Sequence, residues 1–323
     1  MTKFSVIVPM YNASRTIRKC VESITNQSFK DYEVIFVDDC SVDGSPDIVR
    51  EYGVKVIRTR RNSGPAAARN LGVRHSKGEI ICFTDSDCIV PENWLSVIKG
   101  IFDKTGADIV SGMMRNANQK SLVSRFIGYE KNACFSELGA NDFFCGTFNT
   151  AIKREVFNSV KFDETIRDAS YEDVKFAFQI RKLFKCVFSK ESCVYHINTD
   201  SLKTYAKKHF RKAFGHARLF ASGYVIESFG PYSRVFIHRI ILSSMLILFL
   251  LMSLFNPVFM YTIMFLVPLY ILVNRAIIIQ AVRNETLLGV FLVVLILFFD
   301  GFIVTLGVVT GIISKLVPRS LVS

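Results

Sequence analysis

Asp85 and Asp87, one residue apart at the end of Ile80-Ile81-Cys82-Phe83-Thr84, are the residues of this chain best placed to do chemistry. The apolar run before them reads as a strand covered on both faces. Alternate side chains of a strand share a side, so both carboxylates can face one point beyond its carboxyl end. That rim is where open α/β sheets bind ligands. Converging carboxylates repel unless a cation lies between them. Hard oxygen donors suit Mg2+ or Mn2+, ions that often bridge to phosphates. The plainer alternative is a loop acid ahead of a helix begun by Pro91-Glu92-Asn93.

Other strand ends carry useful groups as well. The first strand runs into Pro9-Met10-Tyr11-Asn12 and the second into Asp38-Asp39-Cys40-Ser41-Val42-Asp43-Gly44-Ser45. The third precedes Arg60-Arg61-Asn62-Ser63-Gly64-Pro65-Ala66-Ala67-Ala68-Arg69-Asn70. Tyr11 offers a ring to stack on a base, and Asp39 can accept from a base N–H. Gly64 lets backbone approach closely, and Arg69 can pair with phosphate. Taken singly these are turns and surface charges. Their agreement on one sheet edge argues for a nucleotide.

The elements that must hold these groups alternate. Apolar runs at Phe4–Val8, Glu33–Val37, Val54–Ile57, Glu79–Phe83 and Ala107–Val110 read as strands. Helical spacing of Ile17, Val21 and Ile24 predicts a helix over Ser14–Thr25 behind a Ser14 cap. Gly64-Pro65 opens a second helix, which Gly78 would close. Short connections between alternating elements predict a mostly parallel, doubly wound, Rossmann-like α/β sheet. Residues 1–115 form its nucleotide-binding half and 116–200 an acceptor half. Within the latter, Gly139–Asn149 suits a substrate-shaping loop. Glu172 to Phe184 reads as a helix with Val174, Phe178 and Leu183 on its apolar side. Its first turn holds Glu172 and Asp173, where the dipole favours negative charge.

Composition changes in the last third. The chain has 323 residues and a net charge of +12, yet a mean hydropathy of +0.31. That combination suits a membrane surface or an anionic substrate more than an ordinary soluble enzyme. Met1-Thr2-Lys3 leads straight into a strand, so no signal peptide is expected. Eight cysteines without CxxC pairs suggest neither a zinc site nor a disulfide framework. Residues 201–234 begin with a stretch that is free of acids to Ile226 and carries Lys203, Lys207, Lys208, Arg211, Lys212 and Arg218. With Phe210, Phe214, Ala217 and Ala221 on one side, it reads as a helix lying on an anionic bilayer. A solvated helix packed on the catalytic domain is the alternative.

Residues 240–274 carry no charge. One helix of that length would run about 52 Å at about 1.5 Å per residue, too long for a hydrocarbon core of about 30 Å. Asn256-Pro257 would break it into a hairpin. Within a transmembrane domain over 235–323, spans are therefore expected at about 238–255, 257–274 and 286–311. Arg275 and Arg283 would lie on the cytosolic side. Asp300 interrupts the third span at a cost of about 2.5–3.5 kcal/mol, so it should face a partner or a headgroup.

Five motifs in order over residues 3–200 resemble the family 2 glycosyltransferases of the GT-A fold. Ser5-Val6-Ile7-Val8-Pro9-Met10-Tyr11-Asn12 is similar to the opening strand and turn. Val37-Asp38-Asp39-Cys40-Ser41-Val42-Asp43-Gly44-Ser45 resembles the second motif, with Cys40 where glycine is usual. Asn62 to Asn70 resembles the donor-side helix, and Asp85-Ser86-Asp87 the Asp-x-Asp motif. Phe162-Asp163-Glu164 followed by Glu172-Asp173 resembles the acceptor-side pair, with Lys161 replacing a glycine.

The resemblance implies inverting transfer of a sugar from a nucleotide diphosphate. Pro9, Tyr11, Asn12, Asp39, Ser41, Gly64, Arg69, Asp85 and Ser86 would bind the donor. Asp87, with Asp85 nearby, would hold Mn2+ or Mg2+, and His196 is a candidate late ligand or else a structural histidine. Asp173 would be the general base, with Glu172 beside it. A base suits a hydroxyl acceptor on a lipid-linked or cell-surface glycan, since a phosphate needs little proton removal. Transfer to polyprenyl phosphate is the alternative. A processive synthase fits poorly, because Gln179-Ile180-Arg181-Lys182 lacks the expected tryptophan. Uracil suits the donor pocket, and guanine stays open. The expected setting is a multi-pass cell-membrane enzyme with a cytoplasmic catalytic domain, a bilayer partner and no nucleic acid polymer.

Overall fold

A computed structural model describes residues 2–139, 146–167, 171–223 and 231–316. The chain divides into two compact units, Met1–Asn118 with Gly139–Asn198, and Gln119–Leu138 with Thr199–Ser323. Most of the loop expected to shape the substrate site lies outside the described residues.

In the first unit β1 (Phe4–Met10), α1 (Ile17–Thr25), β2 (Tyr32–Asp38), α2 (Ser45–Arg50), β3 (Lys55–Arg58), α3 (Pro65–Arg74) and β4 (Ile80–Phe83) alternate. Then come β5 (Cys88–Ile89), α4 (Trp94–Thr105) and β6 (Ile109–Asn116). The chain enters the second unit through α5 (Leu122–Ser136) and returns for β7 (Thr150–Lys153), α6 (Glu172–Arg181) and β8 (Cys186–His196). These strands form one sheet in the order β3-β2-β1-β4-β7-β6-β8-β5. β1 to β4 pair parallel, as strand–helix alternation requires. β7 runs against β4 and β6, and β5 against β8. The result is a mixed sheet with a parallel β3-β2-β1-β4 half.

Central β1 is buried on both faces through Phe4, Val6, Ile7 and Val8. Pro9 lies beyond the last β1–β4 pair, Ile7 with Phe83, so its missing N–H costs that ladder nothing. Some boundaries differ from expectation. Ser14 does not cap α1; its N–H donates to Asp43 Oδ2 at 2.9 Å, and the helix starts at Ile17. α3 stops at Arg74, and Gly78 instead gives its N–H to Ser5 Oγ at 2.7 Å. α6 buries Glu172, Phe176 and Ile180, not Val174, Phe178 and Leu183. Positions four apart form one stripe of a helix, so the buried Glu172 fixes which side of α6 faces the core.

The second unit joins α5 to α7 (Leu202–Phe220), α8 (Pro231–Ser253), α9 (Phe259–Val273), α10 (Arg275–Asn284) and α11 (Leu287–Leu316). Phe126, Tyr205, Leu266, Tyr270, Ile277 and Leu297 are among its core residues. Among the described residues one helix, Leu287–Lys315, is long and apolar enough to cross a membrane. The other two expected spans, about 238–255 and 257–274, fall on shorter apolar helices. The apolar part of α8 is Ile237–Ser253, and α9 bends by 71° into α10. α9 has 15 residues, about 22 Å at about 1.5 Å per residue, against a core of about 30 Å.

α7 carries its expected basic side, with Lys203, Lys207, Lys208, Arg211 and Lys212 exposed. Its Ala213 and Ala217 are covered by α11. A Cβ on Gly307 would lie 2.7 Å from Phe210 O, and one on Gly311 2.6 Å from Phe214 O. Part of the side expected to meet lipid therefore meets another helix. Asp300 finds partners within the protein: Tyr205 donates to it at 2.8 Å, and His209 Nδ1 is 2.7 Å away. Arg239 lies 3.4 Å from Asp300 and 2.7 Å from Glu130, so the buried charges compensate one another.

Candidate active site

β4 ends at Phe83, so Thr84 to Asp87 form a turn rather than a continued strand. Asp85 O accepts the Cys88 N–H at 3.0 Å, and the chain re-enters the sheet as β5. Cys88 pairs with His196, and Ile197 N–H donates to Asp87 O at 2.8 Å. This pairing brings the end of β8 against the Asp-x-Asp turn. His196 Nε2 consequently stands 3.2 Å from Asp87 Oδ1. Two ligands at right angles on an ion with bonds of about 2.1 Å lie about 3 Å apart, so this oxygen and nitrogen fit one divalent cation. Cys88 completes a group whose ligand atoms lie within 4.8 Å of one another.

Arg69 joins the turn after β4 to the start of α6. Its side chain is 5% exposed; Nη2 lies 3.2 Å from Asp85 Oδ1 and Nη1 2.8 Å from Glu172 Oε1. The guanidinium expected to pair with phosphate is held by two carboxylates of the protein. Burial alone would lower the guanidinium's affinity for its proton, but Glu172 and Asp85 outweigh it and raise it. Burial pushes the Asp85 carboxyl up, opposed by Arg69 and reinforced by Asp87. Burial, together with the Asp173 charge, likewise raises Glu172 against the pull of Arg69. Asp173 sits in the first turn of α6, and its Oδ1 accepts the Val174 N–H at 2.8 Å.

Asn70, next to Arg69 on α3, clamps the Phe162 backbone. Its Nδ2 donates to Phe162 O at 2.9 Å, and its Oδ1 accepts the Phe162 N–H at 3.1 Å. The Phe162 ring stacks on Phe176 at 4.0 Å and lies 5.6 Å below the Arg69 guanidinium. Asp163 is paired with Lys175 and accepts from Thr165. The Phe162-Asp163-Glu164 motif thus supports Arg69 and α6.

Along the same strand ends, Tyr11 is 51% exposed just after β1. Asn12 N–H donates to Ser41 Oγ at 2.9 Å, while Asn12 Oδ1 accepts the Val42 N–H at 2.9 Å. Asp39 accepts from the Ser63 N–H at 2.9 Å and the Gly64 N–H at 2.7 Å, tying β2 to the start of α3. Gly64 has φ +88°, and a Cβ there would lie 2.3 Å from Arg167 O, so no other residue fits. Ser86 lies within the turn between Asp85 and Asp87. Sequence reasoning missed Asn70, Asn116 and Asn198. The asparagine-rich Asn116-Ala117-Asn118 was a signal, but no spacing connects it to Asn198.

Residues 5–161 match Glycosyl transferase family 2. "Glycosyltransferase GlyG" of Streptococcus pneumoniae is 32% identical over 178 residues, covering 49% of this chain and 59% of its own. TarS of Staphylococcus aureus, a "Poly(ribitol-phosphate) beta-N-acetylglucosaminyltransferase", is 34% identical over 129 residues, 38% of this chain and 22% of its own. The structure of TarS 1-349 in complex with UDP-GlcNAc superposes with a TM-score of 0.51 at 22% identity, covering 68% and 66% of the two chains. The mannosyltransferase PcManGT of Pyrobaculum calidifontis, in complex with GDP-Man and Mn2+, gives a TM-score of 0.58 at 19% identity, covering 97% of this chain and 88% of that one. Both superpositions support the GT-A fold. The chain spans 59% or less of the length of these curated relatives.

Proposed function

We propose that this chain is a metal-dependent inverting glycosyltransferase. It moves a sugar from a nucleotide diphosphate, with UDP favoured, to a hydroxyl of a lipid-linked or cell-surface glycan at the cytosolic membrane face. The observation that carries the reading is the Arg69 bridge, which joins the Asp-x-Asp turn to Glu172 at the start of the acceptor-side helix. Donor and acceptor groups are thereby held at one sheet edge.

Asp87 and His196 would hold Mn2+ or Mg2+, which would neutralise charge on the departing diphosphate. The protein groups do the rest. Tyr11 offers its exposed ring to the base. Asp39 holds the Ser63–Gly64 turn against which the donor packs. Asp173 takes the acceptor's proton as its oxygen attacks the opposite face of the sugar, and Arg69 keeps Glu172 and Asp85 apart and compensated. The exposed apolar residues of the helical unit, including Leu254, Phe255 and Phe265, suit a bilayer. The basic side of α7 suits anionic headgroups. Such a setting fits a lipid-linked acceptor.

Incubation of the purified full chain with UDP- and GDP-sugars, Mn2+ and a lipid extract tests this. The expected result is release of one nucleoside diphosphate matched by label entering lipid. Release of free sugar alone with every extract would contradict the acceptor assignment.

A further inference from the structure

We infer that Asn198 is a positioning residue that holds His196 in the Nδ1–H tautomer, with the Nε2 lone pair directed at the cation shared with Asp87. This rests on the reading of Asp87 and His196 as ligands. A chain of hydrogen bonds anchored on backbone fixes the tautomer. Asn118 N–H donates to Asn116 Oδ1 at 3.2 Å, which makes that atom an acceptor. Asn116 Oδ1 also lies 2.9 Å from Asn198 Nδ2, which must therefore be a donor. That fixes the Asn198 amide with Oδ1 toward His196 Nδ1, 2.9 Å away. A carbonyl oxygen accepts, so Nδ1 carries the proton.

The opposite assignment fails at each link. A bare Nδ1 would put two acceptors 2.9 Å apart. Turning over the Asn198 amide would set its oxygen against Asn116 Oδ1, and turning over Asn116 as well would set an amide NH2 against a backbone N–H. A backbone N–H cannot turn over. Asn198 is fastened further, donating its N–H to Asn118 Oδ1 at 2.7 Å and accepting from Asn118 Nδ2 at 3.0 Å. Asn116 ends β6 and His196 ends β8, two paired parallel strands, so the sheet register itself sets the imidazole. With Nδ1 engaged, Nε2 is the nitrogen left to face Asp87 at 3.2 Å. Partners of this kind commonly change metal affinity by about 10–100-fold.

Mn2+ binding to the full chain in detergent, measured by electron paramagnetic resonance, tests the inference in four variants. Asn198→Ala should weaken binding about 10-fold or more. Asn198→Asp combined with Asn116→Ala, which keeps an acceptor for Nδ1–H and removes the oxygen the new carboxylate would face, should stay within about threefold of the parent. Asn198→Ala in a His196→Ala background should add nothing, because Asn198 acts through the imidazole. The inference is overturned if folded Asn198→Ala binds Mn2+ like the parent while His196→Ala binds more weakly, or if Asn198→Asp with Asn116→Ala fares as badly as His196→Ala. Unchanged binding in His196→Ala would instead overturn the ligand reading beneath it.

Discussion

Arg69 Nη1 stands 2.8 Å from Glu172 Oε1, a contact between α3 and α6 across 103 residues of sequence. The same guanidinium reaches Asp85 at 3.2 Å. Removing one partner of a buried pair strands the other's charge at a cost of about 3–5 kcal/mol. Arg69→Ala should lower stability by about that much in chemical unfolding. Arg69→Lys, a point charge unable to span both acids, should retain most stability yet lose at least about tenfold in turnover. Full turnover in Arg69→Lys would remove the bridge from the account.

Cys40 has a φ of +64°, a region that favours glycine. A side chain in that region costs about 1–2 kcal/mol, against about 0.5–1 kcal/mol of extra chain entropy lost by glycine. Cys40 Sγ recovers part of the cost through Thr59 O at 3.2 Å. Cys40→Gly should therefore leave stability unchanged or raise it by up to about 1 kcal/mol. A clear drop in melting temperature would show that the Thr59 contact dominates.

Asp43 ties the loop after β1 to the start of α2. Its Oδ2 accepts the Ser14 N–H at 2.9 Å, and its Oδ1 accepts from the Ser45 side chain. Burial would raise its carboxyl, but Ser45 and Ser14 outweigh burial and lower it to about 2. A folded value below the ordinary 3.8 means that the stabilisation is complete above pH 4 and lost as pH falls toward 2. Asp43→Asn should flatten acid unfolding in that window and cost about 1–2 kcal/mol at neutral pH. An unchanged acid limb would refute this.

The parallel core was legible because strand–helix alternation and buried β-branched runs leave few other topologies. The Asp-x-Asp position was legible too, although it acts from a turn and not from the strand. What could not be read was partnership between distant segments. Nothing local says that Arg69 meets Glu172, or that their pairing rotates α6 to bury Phe176 and Ile180. The apolar tail gave three helical segments by length, but the packing of α11 on α7 through Gly307 and Gly311 depends on partners, not on hydropathy. α5 looked like part of the acceptor half, yet Phe126 and Tyr129 belong to the core of the helical unit.

That placement of α5 changes what truncation should do. A fragment ending near residue 200 keeps α5 but loses Tyr205, Ile277 and Ala281 that cover it. It should aggregate or bind detergent, whereas the same fragment with Phe126→Ser and Ile127→Ser should be more soluble. Equal solubility of the two would argue that α5 is covered some other way.

The most direct test compares Asp87→Ala and Asp173→Asn for donor binding and sugar transfer in the presence of Mn2+. The account predicts that Asp173→Asn binds the nucleotide sugar within about threefold of the parent while transfer falls by at least about a hundredfold. Asp87→Ala should lose Mn2+-dependent donor binding and transfer together. Transfer at the parental rate by Asp173→Asn, or metal-independent parental activity in Asp87→Ala, would contradict it.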